Sequence, residues 1–206
     1  MLFDFAKTPP EQRYKLLVGL VTPRPIALVS TRGRDGVVNA APFSFFNVFS
    51  EDPAVLALGI DGREDGSPKD TARNIRETGC FVVNLVDEAI AAAMNICATE
   101  LPPHVSELPY AGLTAAPCAV IDQPRLAEAP VSLECRLMQI VVLPGGRDLM
   151  LGTIVALHAR DGILDDRLNV DPQRYKSVGR LYGPWYARLG DRFRLDRKPA
   201  EEVMKG

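Results

Sequence analysis

The residues best suited to chemistry in this chain lie between Asn39 and Ser50, in the run Asn-Ala-Ala-Pro-Phe-Ser-Phe-Phe-Asn-Val-Phe-Ser. Two side-chain amides, two hydroxyls and four phenyl rings fall within these twelve residues. That mixture is too polar for plain core and too aromatic for a plain loop. A planar ligand with hydrogen-bonding edges needs both properties, apolar surface against its rings and a few fixed polar groups at its rim. Asn39, Ser44 and Asn47 supply side-chain partners, and the amides around Ala41, Phe43 and Phe45 supply backbone donors where Pro42 disturbs regular sheet pairing. An edge strand whose polar residues face water is the competing reading, and the residues alone leave both open.

A second constellation is Ser67-Pro68-Lys69-Asp70-Thr71. A hydroxyl at the N-cap, proline at the first helical position and an acid at the third predict a helix start there. Its first turn presents unpaired N–H groups and partial positive charge, with Lys69 and the Thr71 hydroxyl alongside, which together suit a dianionic phosphate. A capping box accounts for Ser67 and Asp70 without any ligand, but says nothing about Lys69 and Thr71. Taken with the Phe-rich run, the pattern fits flavin mononucleotide (FMN), which needs apolar ring contact, donors and acceptors at its edges, and a phosphate site.

His158 is the remaining candidate, at the end of the apolar run Gly152–Leu157 and before Asp161-Gly162. A histidine there can contact a substrate or shuttle a proton, or simply be satisfied at a barrel rim. Asp165-Asp166 reads as a turn, and no G-x-S-x-G nucleophile signature occurs. Cys80, Cys97, Cys118 and Cys135 are widely spaced among apolar neighbours and read as buried free thiols. With only His104 and His158, far apart, no metal site is expected.

The elements that must position these residues are mostly strands. Ile26–Thr31, a return strand from Val37 running on through the Phe-rich segment, Ala54–Ile60, Gly79–Val86, Val131–Leu143, Leu149–Arg160 and Arg192–Leu195 carry β patterning. Arg32–Gly36 and Gly145-Gly146 read as hairpin turns. Two short helices interrupt them, one from Ser67 to a stop at Gly79 and one over Asp87–Ala98. Leu101–Gly112, rich in proline, reads as an ordered loop. Many short strands with few helices predict a closed or partly closed barrel rather than a doubly wound parallel sheet, and the G-x-G-x-x-G fingerprint is missing. The aromatic, cationic segment Tyr175–Tyr186 fits either a nucleotide pocket or a subunit interface.

At 206 residues, 47% of them hydrophobic and 24% charged, the chain is expected to form one domain over residues 1–206. Its net charge of −2 and scattered basic residues argue against nucleic acid. No apolar run approaches the ~20 residues of a membrane span. Met1–Phe5 lacks the regions of a signal peptide, so a cytoplasmic location is expected.

These pieces resemble one family. PRPIALVST at Pro23–Thr31, NAAPFSFFNVFSEDP at Asn39–Pro53, KDTARNI at Lys69–Ile75, FVVNLV at Phe81–Val86, SLEC at Ser132–Cys135, LGTIVALHARDGIL at Leu151–Leu164 and VGRLYGPWY at Val178–Tyr186 occur in the family's order over nearly the whole chain. The chain resembles the flavin reductase-like, FMN-binding split-barrel proteins, in particular their flavoredoxin-like branch. The resemblance implies a mainly β fold, a Greek-key split β-barrel with a few short helices, in a homodimer with FMN near the interface. It implies that Asn39, Ala41, Pro42, Phe43, Ser44, Phe46 and Asn47 wrap the ring and ribityl chain. Lys69 and Thr71 would lie at the phosphate, with Asp70 and Asn74 bracing that loop. Arg24 would be a ribityl or phosphate contact, or a brace for the Asn39 strand, and His158 would face the nicotinamide side of the flavin as the catalytic residue. The implied activity is NAD(P)H-dependent flavin reduction, with NADH or NADPH as donor and a flavin, ferric or redox-protein acceptor. The alternative is an FMN electron carrier reduced by a protein partner.

Overall fold

The structure, a computed structural model, describes residues 1–102 and 104–204. It opens with α1 (Pro10–Leu20), a surface helix that buries only Val18 and so carries little apolar pattern in the sequence. Strands β1 (Ala27–Arg32), β2 (Val38–Phe43), β3 (Phe46–Glu51) and β4 (Ala54–Asp61) follow through tight turns. Helix α2 (Asp70–Thr78) ends at Gly79, whose φ of 69° is the left-handed cap that glycine adopts without penalty. Next come β5 (Cys80–Leu85), α3 (Ala91–Ile96), α4 (Leu108–Ala111) and the small ribbon of β6 (Ala115–Ala116) and β7 (Arg125–Leu126). The long hairpin β8 (Val131–Leu143) and β9 (Arg147–Ala159) precedes β10 (Val178–Arg180), β11 (Tyr186–Arg188) and α5 (Ala200–Val203).

Seven strands make one antiparallel sheet in the order β2-β1-β5-β8-β9-β4-β3. Its two edge strands, β2 and β3, are consecutive in the chain and joined only by Ser44-Phe45. The sheet therefore curls until its edges meet at that junction, and the Gly59 N–H, donated to the Phe45 carbonyl at 2.7 Å, carries the β3–β4 pairing up to it. This is the expected mainly β split barrel, and the split falls in the middle of the Phe-rich run.

The barrel interior packs Ala27, Val29, Leu56, Leu58, Phe81, Val83, Leu133 and Met150 around Ile75 of α2. A second core lies outside the sheet, where Leu28, Ala40 and Val86 are covered by Met94, Leu108 and Leu126 of the 87–130 excursion. β1 is thus buried on both faces, which is why it reads as an unbroken apolar run rather than an alternating one. Packing is tight at Gly152, where an added Cβ would sit 2.5 Å from the Phe81 ring. Gly152→Ala should lower stability by about 1–3 kcal/mol in urea titration, as overpacking of a fixed core does.

Four expectations are corrected. The Phe-rich run is two strands broken at Ser44-Phe45, because Phe46 must turn inward to the core while β3 crosses to β4. α2 begins at Asp70, since Ser67 donates its N–H and hydroxyl to Asp65 in a local turn instead of capping the helix. The second helix shortens to Ala91–Ile96; ahead of it Asp87 pairs with Arg160 at 2.8 Å and accepts the N–H of Ala89 in a turn. Arg192–Leu195 forms no strand; Phe193 and Leu195 are exposed and have no sheet edge to pair with. The Leu101–Gly112 loop contains α4 and the exposed His104, and its Pro103 lies outside the described residues.

Candidate functional site

Three clefts of about 260, 290 and 160 Å³ meet at Pro42 and Phe43, beside the split. The first runs over Asn39, Ala41, Lys69, Asp70 and Thr71 to the segment after α3. The second runs over Ser44 and Arg24 to Tyr14, Arg180 and Tyr186. The third is lined by Phe45, Lys69, Asp61 and Arg147, whose guanidinium lies 4.6 Å above the Phe45 ring and pairs with Asp61. The split is where regular pairing stops, so it is where backbone and aromatic surface stay open to a ligand.

Strand alternation decides what β2 offers there. Ala40 turns its N–H away from β1 and donates it to Glu107 Oε2 at 2.9 Å. The N–H groups of Asn39, Ala41 and Phe43 must then point towards β1, with which these residues pair. The open edge carries the carbonyls of Ala40 and Pro42, and Pro42 occupies a position where no N–H is needed. The backbone donors expected at Ala41 and Phe43 are thus engaged in the sheet, and the edge presents acceptors.

Donors come from α2. Its N-terminus has no side-chain cap, and the half-buried Lys69 is the N-cap residue. Asp70, which alone would repel an anion, is paired with Arg63 and Arg73, each at 2.5 Å. Those two pairs leave Lys69 without an ion pair among the described residues. The first turn of α2, Lys69 and the neutralised Asp70 form an anion-binding geometry at one end of the first cleft.

Behind this end lies a buried polar cluster. Thr71 is 1% exposed, and its hydroxyl is 2.9 Å from the Asn39 amide. The amide orientation that satisfies every partner has Nδ2 donating to Glu107 Oε1 at 3.3 Å and Oδ1 accepting from Thr71. Burial pushes the Glu107 carboxyl above its ordinary range, against the lowering effect of the Ala40 N–H. Asn74 donates to the Thr31 hydroxyl at 3.0 Å, tying α2 to β1.

Arg24 is a brace. Its buried guanidinium donates to the carbonyls of Val18 and Val21 at the end of α1, to the Leu181 carbonyl, and to Ser44 Oγ at 3.3 Å. One side chain thereby closes α1, anchors the segment after β10 and holds the hydroxyl at the split. Phe46 is buried in the barrel core, while Asn47 is exposed on β3 and its Oδ1 accepts the N–H of Val48.

His158 lies apart from these clefts in the protomer. It pairs with Ser132 on β8 and lines none of the three clefts. Its Nε2 is 2.6 Å from Glu134 Oε1, and Glu134 also accepts the N–H groups of Ala119, Val120 and Ile121 at 2.6–3.0 Å. Burial by itself would raise the Glu134 carboxyl, but the three N–H groups and His158 outweigh it and hold it at about 2. The imidazole is therefore fixed with Nε2–H towards Glu134 and Nδ1 left over.

Sequence reasoning missed Arg63, Glu107, Tyr14 and Arg147 among the cleft residues. Arg63 sits in the acidic, glycine-rich stretch before Lys69, and Glu107 in the proline-rich loop. Neither carries a local signal, because each is recruited by the fold from a different element.

A family model described as flavin reductase like domain matches residues 19–179. A protein of Halalkalibacterium halodurans is 42% identical over 192 residues, 91% of each chain. The solved 2-nitrobenzoate 2-nitroreductase of Pseudomonas fluorescens is 37% identical with a TM-score of 0.89, covering 97% of this chain and 98% of that one. Nitrilotriacetate monooxygenase component B of Bacillus cereus is 35% identical with a TM-score of 0.90, covering 95% and 98%. From residue 19 to 179, and with the barrel split at Ser44-Phe45, the chain belongs to the flavin reductase like family.

Proposed function

We propose that this protein is an FMN-binding, NAD(P)H-dependent oxidoreductase that passes electrons to a flavin, ferric or redox-protein acceptor. The observation that carries the reading is the uncapped α2 N-terminus with Lys69, placed at one end of clefts that converge on Pro42 and Phe43. An elongated ligand with an anionic tail and a flat apolar head matches that shape and polarity. Lys69 and the first turn of α2 would hold the phosphate. The Ala40 and Pro42 carbonyls would accept from the ring's N–H edge, and Phe43 would supply apolar contact. Bound flavin supplies two-electron chemistry that side chains lack; the chain orients it and admits the donor.

We further propose that the protein works as a homodimer in the cytoplasm. His158 faces none of the three clefts of its own protomer, so a role at the nicotinamide side requires the cleft of a second copy. Exposed Val48, Phe49, Trp185 and Phe193 offer apolar surface for such a contact. The four cysteines are free, as suits a reducing compartment, and no helix among the described residues is long and apolar enough to cross a membrane.

Anaerobic stopped-flow mixing of FMN-loaded protein with NADH or NADPH tests the activity, read at the oxidised-flavin absorbance band. Rapid, saturable bleaching is expected. A yellow protein inert to both nicotinamides would replace this reading with the electron carrier, and a chain that takes up no FMN would remove both.

A further inference from the structure

Glu107 has no place in the phosphate site and lies thirty-six residues beyond Thr71 in the chain, yet its carboxylate is buried against the first cleft. It does two things there. One oxygen takes the Ala40 N–H, the donor that β2 turns away from β1. The other faces the Asn39 amide, whose far end faces Thr71. All three residues are more than nine-tenths buried, which shields the chain of bonds from bulk water. A carboxylate accepts only. Asn39 must therefore turn Nδ2 towards Glu107 and Oδ1 towards Thr71, and the Thr71 hydroxyl must spend its single proton on Oδ1.

We propose that Glu107 is a positioning residue of the flavin cleft, which through Asn39 commits the Thr71 proton inward and leaves the hydroxyl only lone pairs for a ligand. Resting on the FMN reading, this assigns Thr71 to a ligand donor, a ribityl hydroxyl, and removes it from the phosphate, whose oxygens its lone pairs repel. Lys69 and the backbone N–H groups of α2 are left to bind the anion. The other charged groups lining this cleft, Lys69, Arg63, Asp70 and Glu100, do not alter the polarity of the relay, because none of them bonds to Asn39 or Thr71.

The test is a comparison of FMN with riboflavin, which lacks the phosphate. Dissociation constants are read by flavin fluorescence for the native chain, Thr71→Val, Glu107→Gln and the double variant. Glutamine keeps an acceptor for Ala40 but presents an N–H to Asn39, so the amide turns over and the Thr71 proton is released towards the cleft. In the native background, Thr71→Val should weaken both flavins equally, to within about twofold. In the Glu107→Gln background it should weaken FMN about tenfold more than riboflavin, the size of one charge-assisted hydrogen bond. Any general loosening by valine affects both ligands and cancels in the ratio. A selective loss of FMN in the native background overturns the proposal, even if Glu107→Gln does not fold. The same ratio in both backgrounds also overturns it. A native chain that binds neither flavin instead removes the FMN reading on which the proposal rests.

Discussion

Lys69→Ala is expected to weaken FMN by roughly 1.5–3 kcal/mol, about 10- to 150-fold in Kd, and to change riboflavin by less than about twofold. Lys69 is the cation at the α2 end of the clefts that makes no ion pair among the described residues, Asp70 being paired with Arg63 and Arg73. The uncapped N–H groups of α2 remain in the variant, so binding should persist, weaker and less selective for the phosphorylated flavin. Titration calorimetry with both flavins reads the contrast directly. Equal losses for the two would move the phosphate elsewhere. The effect should also shrink as salt rises, because a half-buried ammonium is only partly shielded from counterions.

Glu134→Ala is expected to cost on the order of 3–5 kcal/mol of folding stability in urea titration, far more than His158→Ala. The carboxylate is fully buried and is the acceptor for three consecutive backbone N–H groups at Ala119–Ile121. Removing it orphans all three at once, with the penalty typical of a buried charged partner. Its folded carboxyl titrates at about 2, below the 4.5 of a free glutamate. The depressed value means that the unfolded chain binds the proton more readily. The stabilisation is thus present above about pH 4.5 and lost as pH falls towards 2. Native protein should show an acid loss of stability in that window that is reduced in Glu134→Ala. A variant within 1 kcal/mol of native would show that the 117–126 segment is held by its other contacts.

The strands at Val131–Leu143 and Ala54–Ile60 were legible because their apolar pattern, turn residues and length agree locally, and each needs only an adjacent partner. The Asn39–Asn47 run was legible for the same reason: amides and phenyl rings within a few residues cannot all be core. Its internal geometry was not. Which amides of β2 are free depends on a carboxylate from the far side of the 87–130 excursion, and nothing in the run itself encodes that. Ser67 shows the opposite error, a correct local rule for capping overridden by an equally local competitor, Asp65.

By itself, then, the sequence determined a barrel of antiparallel strands, a helix ending at Gly79 and a polar–aromatic run suited to a flat ligand, because these follow from side-chain periodicity and backbone chemistry over a few residues. Tertiary structure alone decided that the barrel splits at Ser44-Phe45, that Arg24 ties α1 to the segment after β10, that Glu107 reaches Asn39, and that His158 pairs with Glu134 and lines none of the clefts of its own protomer. Those outcomes turn on contacts between residues tens of positions apart. Such contacts form only when burying both cores brings the elements together, and no local pattern records which buried carboxylate will meet which unpaired N–H.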